Sequence, residues 1–275
     1  MFKPDPDLNK KQLNTIWLSD THLGSKDCKA QFLLDFLNRN HCDTLYLVGD
    51  IIDLWAMKRH FLWPDSHQQV LDKLLEIARS GTRVIYIPGN HDDLANKLAD
   101  HHLLNIEIID EHIHTTAMGK KLLIVHGDQF DPAVRCSNIY QQFGTISYRF
   151  LLFLNRWGNL LRRWTNRPYW SLAYYLKNRV KNARAAILAF EQAAVDACKS
   201  RGLDGIVCGH IHQPELRQID GIDYCNDGDW VESCTALVEH QDGRLELMHW
   251  GDVQHALKSD RAANDGHNYP GLDAA

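Results

Sequence analysis

No stretch of this chain runs the roughly 18 uncharged apolar residues that a membrane-spanning helix requires, and the longest candidate is interrupted by Arg149 and Arg156. The sequence also lacks a Cys-x-x-Cys pair, and its 7 cysteines are odd in number. Neither a zinc ribbon nor a disulfide framework is therefore expected, and the thiols read as reduced and mostly buried. Met1 to Asn14 is polar, with Pro4 and Pro6, and has none of the apolar character of a secretory signal, so a cytoplasmic location is expected. The most informative absence is of acid. From Pro132 to Phe190 there is no Asp or Glu, while ten Arg and Lys fall in the same stretch. Since the whole chain carries a net charge of −5, the remainder is markedly acidic. An acidic body suits cations, and a basic block suits an anionic partner.

With 275 residues, 44% of them apolar, the chain is large enough to bury a core without staples, as one large domain or one domain with an insertion. Several apolar, β-branched runs read as buried strands. They are Thr15-Ile-Trp-Leu18, Thr44-Leu-Tyr-Leu-Val48, Arg83-Val-Ile-Tyr-Ile87, Leu122-Leu-Ile-Val125 and the shorter Gly205-Ile-Val-Cys208. Helical stretches such as Lys29 to Asn38 and Gln68 to Ser80 lie between them, and this alternation predicts a layered α/β sheet.

Each run leads directly into side chains that bind metals well: Asp20-x-His22, Gly49-Asp50-x-x-Asp53, Gly89-Asn90-His91-Asp92, His126-Gly127-Asp128 and Gly209-His210-x-His212. A lone His-x-His arises about once by chance in a chain with 16 histidines, so the weight rests on the set. In open α/β sheets, residues just past the carboxyl ends of strands converge on one crevice, which lets ligands distant in sequence meet. Two cations roughly 3.5 to 4 Å apart bind phosphoryl oxygens and supply a hydroxide at neutral pH, the two requirements for hydrolysing a phosphate ester or anhydride. Carboxylate, imidazole and amide oxygen without thiolate favour manganese first, with iron or zinc as alternatives. Asp53 and Asp92 also suit helix caps, and Asp128 a turn or a support for His126. His101, His102, His112 and His114 fall outside the motifs and read as surface or strand residues.

Between the fourth and fifth segments, Phe150, Phe153, Leu154, Trp157, Leu160, Leu161 and Trp164 recur at helical spacing, flanked by Arg149, Arg156 and Arg163. Asn166-Arg-Pro168 breaks that helix, and a second is expected from about Ser171 to Ser200. The expected division is a core of 1–130 and 203–256, a helical insertion of 131–202 and a flexible tail of 257–275. Two readings of the insertion stand: its aromatic stripe docks onto the sheet, or part of it forms an open groove for acyl chains. In the second reading Arg149, Trp157, Arg163 and Trp164 bind substrate beside an anionic inner-membrane surface. Nucleic acid is the weakest candidate partner, because the basic residues are interleaved with long aliphatics.

The five segments together resemble the signature of the calcineurin-like metallophosphoesterase superfamily, over Ile16 to His212 and in the same order. The resemblance implies an α/β/β/α sandwich and two divalent metals. It implies that Asp20, His22, Asp50 and His212 hold one cation, and that Asp50, Asn90, His126 and His210 hold the other. It further implies that His91, oriented by Asp53, faces the phosphate as the catalytic imidazole. Ser19-Asp-Thr-His-Leu-Gly24, Gly49-Asp-Ile-Ile-Asp-Leu-Trp55, Gly209-His-Ile-His-Gln-Pro214 and the basic-aromatic insertion are similar to the UDP-2,3-diacylglucosamine pyrophosphohydrolases of lipid A synthesis. These are peripheral membrane enzymes that release UMP and a lipid phosphate. The chain departs from them at His91, where they commonly have Arg, and at Asn226-Asp-Gly-Asp-Trp-Val-Glu232, where they end in Gly-Ala-Trp-His. Soluble phosphodiesterases or phosphomonoesterases share the same general signature, and a non-catalytic scaffold is the remaining alternative.

Overall fold

The computed structural model describes residues 11–92, 101–134 and 181–251. Arg149, Trp157, Arg163 and Trp164, the helix expected around them and the tail expected at 257–275 lie outside the described residues.

The first half alternates strand and helix as β1 (Lys11–Leu18), α1 (Ala30–Arg39), β2 (Asn40–Val48), α2 (Leu54–Arg59), α3 (Asp65–Arg79) and β3 (Arg83–Ile87). Short strands follow: β4 (His101–Leu103), β5 (Ile106–Ile108), β6 (His112–Thr115) and β7 (Lys121–Ile124), then a 3-10 helix at Asp128–Val134. After α4 (Lys181–Arg201) come β8 (Gly205–Cys208), β9 (Glu215–Ile219), β10 (Ile222–Asn226), β11 (Thr235–Glu239) and β12 (Leu245–His249). The helices are amphipathic for a clear reason. In α1 the buried residues are Ala30, Leu33, Phe36 and Leu37, and in α3 they are His67, Val70, Leu74 and Ala78, each set forming one stripe. Helix α3 stops at Ser80, where Gly81, at a φ of +103°, takes the left-handed turn that releases the chain.

The strands form two sheets, ordered β12-β11-β1-β2-β3-β5-β4 and β6-β7-β8-β10-β9. Strands β1, β2 and β3 are mutually parallel, as are β7, β8 and β10, so their carboxyl ends share one edge within each sheet. Period-2 alternation splits the apolar residues between two cores. Leu45 and Leu47 of β2, with Val84 of β3, face α1 and α3, whereas Tyr46, Val48, Ile85 and Ile87 face the other sheet. There they meet Leu122, Ile124, Val207 and Cys225. On the second sheet, Leu123, Ile206, Cys208 and Tyr224 turn outward to Phe190, Ala194, Val195 and Cys198 of α4. The result is the α/β/β/α layering expected from sequence. The segment expected as an insertion thus contributes its C-terminal end to the outer layer of the sandwich itself. Among the described residues, no helix is long and apolar enough to cross a membrane.

A polar cluster also joins the sheets. Buried Glu239 accepts hydrogen bonds from Thr15 Oγ1 (3.0 Å) and the Ala117 N–H (2.7 Å), and lies 3.1 Å from His114 Nε2. His114 Nδ1 in turn lies 3.2 Å from the Tyr46 hydroxyl. His114 is therefore a cross-sheet link and not a surface residue. Burial pushes the Glu239 carboxyl up, but these partners, His114 first among them, outweigh it and hold it below its ordinary range.

Leu122, fully buried between the sheets, tests this architecture. Leu122→Ala should cost about 2 to 5 kcal/mol in urea unfolding, whereas Ile113→Ala, at a residue 48% exposed, should cost no more than about 0.5 kcal/mol. Equal, small effects at both positions would contradict a dry layer between the sheets.

Candidate metal centre

All five motif segments lie just past the carboxyl ends of parallel strands: β1, β2, β3, β7 and β8. The chain turns sharply there. Asp20, His22, Asp50, His210 and His212 have φ of 47°, 48°, 53°, 68° and 50°. Side-chain-bearing residues rarely adopt this left-handed region, at a cost on the order of 1 to 3 kcal/mol each. Main-chain bonds between loops hold them there: Asp20 N–H to Gly49 O (3.0 Å), His22 N–H to Asp50 O (2.9 Å) and Gly209 N–H to His126 O (3.0 Å). Glycine is required at two close approaches. A Cβ on Gly89 would collide with Asp50 Oδ1, and one on Gly209 with Ser19 Oγ and Asp20 Oδ2.

These turns gather the expected side chains into two trios whose ligating atoms lie within 4.8 Å of one another: Asp20, His22 and His212, and Asp50, His126 and His210. In the first, His212 Nε2 is 3.1 Å from Asp20 Oδ1 and 3.3 Å from His22 Nε2. In the second, His126 Nε2 is 3.5 Å from Asp50 Oδ1, while His126 Nδ1 is fixed by the Val48 carbonyl at 2.9 Å. Asp50 reaches both, since its Oδ2 lies 3.8 Å from His22 Nε2. Asp20 Oδ1, Asn90 Oδ1 and His126 Nε2 are buried and make no hydrogen bond among the described residues. Buried polar atoms are rarely left so. A set of oxygen and imidazole donors without thiolate, three of its atoms buried and lacking hydrogen bonds among the described residues, fits divalent cations.

His91 sits at the mouth. Its Nδ1 is 2.9 Å from Asp53 Oδ1, its main-chain N–H donates to Asp50 Oδ1 at 2.8 Å, and its Nε2 lies 3.9 Å from Asp50 Oδ2. It also forms a third close trio, with His22 and Asp50. Asp53 makes the contacts that both readings of it require. Its Oδ1 caps α2 through the Ala56 N–H (2.7 Å), and its Oδ2 lies 3.2 Å from His22 Nδ1. Asp92 is a splint between loops, accepting from the N–H groups of Gly89 (3.0 Å), Ile52 (3.0 Å) and Ile51 (3.3 Å).

Burial pushes the Asp20, Asp50 and Asp53 carboxyls up, yet neighbouring imidazoles outweigh it and hold all three below the usual carboxylate range. His212 and His22 act on Asp20, His126 on Asp50, and His22 and His91 on Asp53. The converse holds for the imidazoles. Burial lowers His22 and His126, but Asp20 and Asp53 raise the first well above its ordinary value, and Asp50 raises the second to about 10.

Three features at the site were not assigned to it from sequence. Asp131 of the 3-10 helix reaches His210 Nε2 at 2.9 Å. Trp55, 41% exposed, lies against His91 with ring centroids 4.4 Å apart. The loop after β10 backs the centre. There Asn226 Nδ2 donates to Gly209 O (2.8 Å), Asp227 Oδ1 accepts from Ser19 Oγ (2.7 Å), and Asp229 Oδ1 lies 3.8 Å from His212 Nδ1. That loop carries the same signal as the others, an apolar strand followed by Asn226-Asp-Gly-Asp229, but no histidine draws attention to it.

The calcineurin-like phosphoesterase family profile matches residues 13–214. Among similar curated proteins is the UDP-2,3-diacylglucosamine hydrolase of Chromohalobacter salexigens, 26% identical over 220 residues that cover 76% of this chain and 85% of the relative. The protein of that name from Aliivibrio fischeri is 24% identical over 253 residues, covering 84% and 95%. Among solved structures, an archaeal phosphodiesterase aligns over 85% of this chain and 98% of its own at 14% identity and a TM-score of 0.41. A phosphoesterase from E. coli aligns over 86% and 98% at 15% identity and a TM-score of 0.43. With the profile spanning most of the chain and every motif lying on the strand ends described above, the protein belongs to the calcineurin-like phosphoesterase family of metal-dependent hydrolases of phosphoric esters and anhydrides.

Proposed function

We propose that the protein hydrolyses the pyrophosphate of UDP-2,3-diacylglucosamine, or of a similar lipid-linked nucleotide, to UMP and a lipid phosphate. The observation that carries the chemistry is the pair of trios that Asp50 links, with buried oxygen and nitrogen atoms that make no hydrogen bond among the described residues. Asp20, His22, Asp50 and His212 take one cation, and Asp50, Asn90, His126 and His210 the other, manganese being preferred over iron or zinc. Such cations, when bound, polarise phosphoryl oxygens and make water a nucleophile at neutral pH. His91 works beside them. Because Asp53 occupies its Nδ1, its Nε2 is the atom that stabilises charge on the phosphoryl group or hands a proton to the leaving oxygen.

The curated relatives named for UDP-2,3-diacylglucosamine support the substrate. So does the acid-free, aromatic-rich sequence between Pro132 and Phe190, whose part preceding α4 we assign to a cap in which Arg149, Trp157, Arg163 and Trp164 contact lipid and phosphate at the inner-leaflet surface. A second reading, a phosphodiesterase of broader scope, is favoured by one residue: His91 stands where the lipid A enzymes commonly have Arg. The two are separated by assaying Mn²⁺-stimulated UMP release from the diacylated sugar nucleotide beside hydrolysis of a nitrophenyl diester, with and without detergent. UMP release that rises with detergent is expected; strong diester turnover without UMP would sink the lipid reading.

His126→Ala should lower turnover by at least about 100-fold, because losing a direct ligand exceeds the 10- to 100-fold typical of outer-sphere changes; unchanged activity would reject the assignment. Proton linkage gives a second check. His126, raised to about 10, holds a proton at neutral pH in the metal-free protein, and ligation requires it neutral. Manganese uptake at pH 7 should therefore release protons and weaken as pH falls. Calorimetry in two buffers of different ionisation enthalpy measures this, and zero release would show that His126 is already neutral in the metal-free protein.

A further inference from the structure

The loop that follows β10 lies outside the five motif segments yet touches them. Its Trp230 N–H donates to the Asp20 carbonyl (3.1 Å), and its Trp230 carbonyl accepts from the Lys29 N–H (2.8 Å). Ser19 Oγ donates to Asp227 Oδ1 (2.7 Å) and to the Gly228 carbonyl (3.1 Å). The loop therefore grips the Asp20 segment from behind, and Asp229 extends that grip to a second member of the same trio. Asp229 is fully buried. Its Oδ1 accepts from the N–H groups of Val231 (2.7 Å) and Glu232, and its Oδ2 accepts from Ser233 Oγ (2.8 Å).

His212 presents its two ring nitrogens to opposite sides. Nε2 faces Asp20 and His22, and Nδ1 faces Asp229 Oδ1 at 3.8 Å. That Nδ1 is buried and makes no hydrogen bond among the described residues. A carboxylate behind a ligating imidazole fixes its tautomer and ring orientation and increases its basicity. We infer that Asp229 is a positioning residue of the first metal position, acting from the Nδ1 side of His212 so that the ring keeps Nε2 turned toward Asp20 and His22. The inference rests on the metal assignment proposed above. Asparagine at this position can still accept the loop's main-chain N–H groups through its amide oxygen, so Asp229→Asn removes the charge while leaving the turn its acceptor.

The test reads metal directly. Chelator-stripped full-length protein is titrated with Mn²⁺, free Mn²⁺ is followed by its electron paramagnetic resonance signal, and the metal-free melting temperature is measured alongside. Wild type should bind two ions, and Asp229→Asn should hold one as wild type does and the other about 10- to 100-fold more weakly. Ser233→Ala, which removes a donor to Asp229 but keeps its charge, should stay within about twofold at both positions, because the carboxylate beside His212 remains. Wild-type affinity at both positions in Asp229→Asn would overturn the inference. So would parallel weakening of both positions together with a fall in the metal-free melting temperature, which marks a role confined to the turn. A wild type that takes up no Mn²⁺ would instead overturn the metal assignment on which the inference stands.

Discussion

Asp50 is the side chain on which the rest of the centre depends. One oxygen accepts the His91 main-chain N–H and approaches His126, and the other lies near His22 and His91, so a single carboxylate sets the separation of both trios. Its placement follows from the sheet. Strand β2 lies between β1 and β3 in parallel register, which puts its carboxyl end at the middle of the three motif-bearing strands of the first sheet. The glycines on either side serve this position: Gly89 leaves space for Oδ1, and Gly49, at a φ of +80°, leaves space for the His126 ring.

Such a centre is unfavourable to build. Five of its residues occupy left-handed backbone, and three carboxylates are packed into a space largely closed to water. The surrounding layers supply what the centre lacks. Two apolar cores flank the first sheet and a third lies under α4, and the loops carrying the site are tied by main-chain bonds to rigid strand ends. Precision at the site thus derives from burial elsewhere.

Much of this could be read from the sequence, because the chemistry sits where strands stop. Apolar runs ending in Asp, Asn or His mark the strand ends, and at least one side chain from each of the five motifs lies in the close groups of potential ligands. Asp53 shows why a single-role reading fails: one oxygen caps α2 and holds His91, while the other faces His22. What could not be read depends on tertiary neighbours. Asp229 is recognisable only once β10 is seen to run parallel to β8, and Trp55 only once α2 turns it onto His91. His114 looks like an ordinary strand residue until Glu239, 125 positions away, is found against it.

The two trios assigned to metal each draw their members from both sheets. Asp20 and His22 from β1 meet His212 from β8, and Asp50 from β2 meets His126 and His210 from β7 and β8. A cation seated in either trio would rivet the two halves of the sandwich across their seam. Metal capture and sheet docking would then be thermodynamically coupled, so that the loaded protein resists separation of its halves in proportion to its hold on the ion.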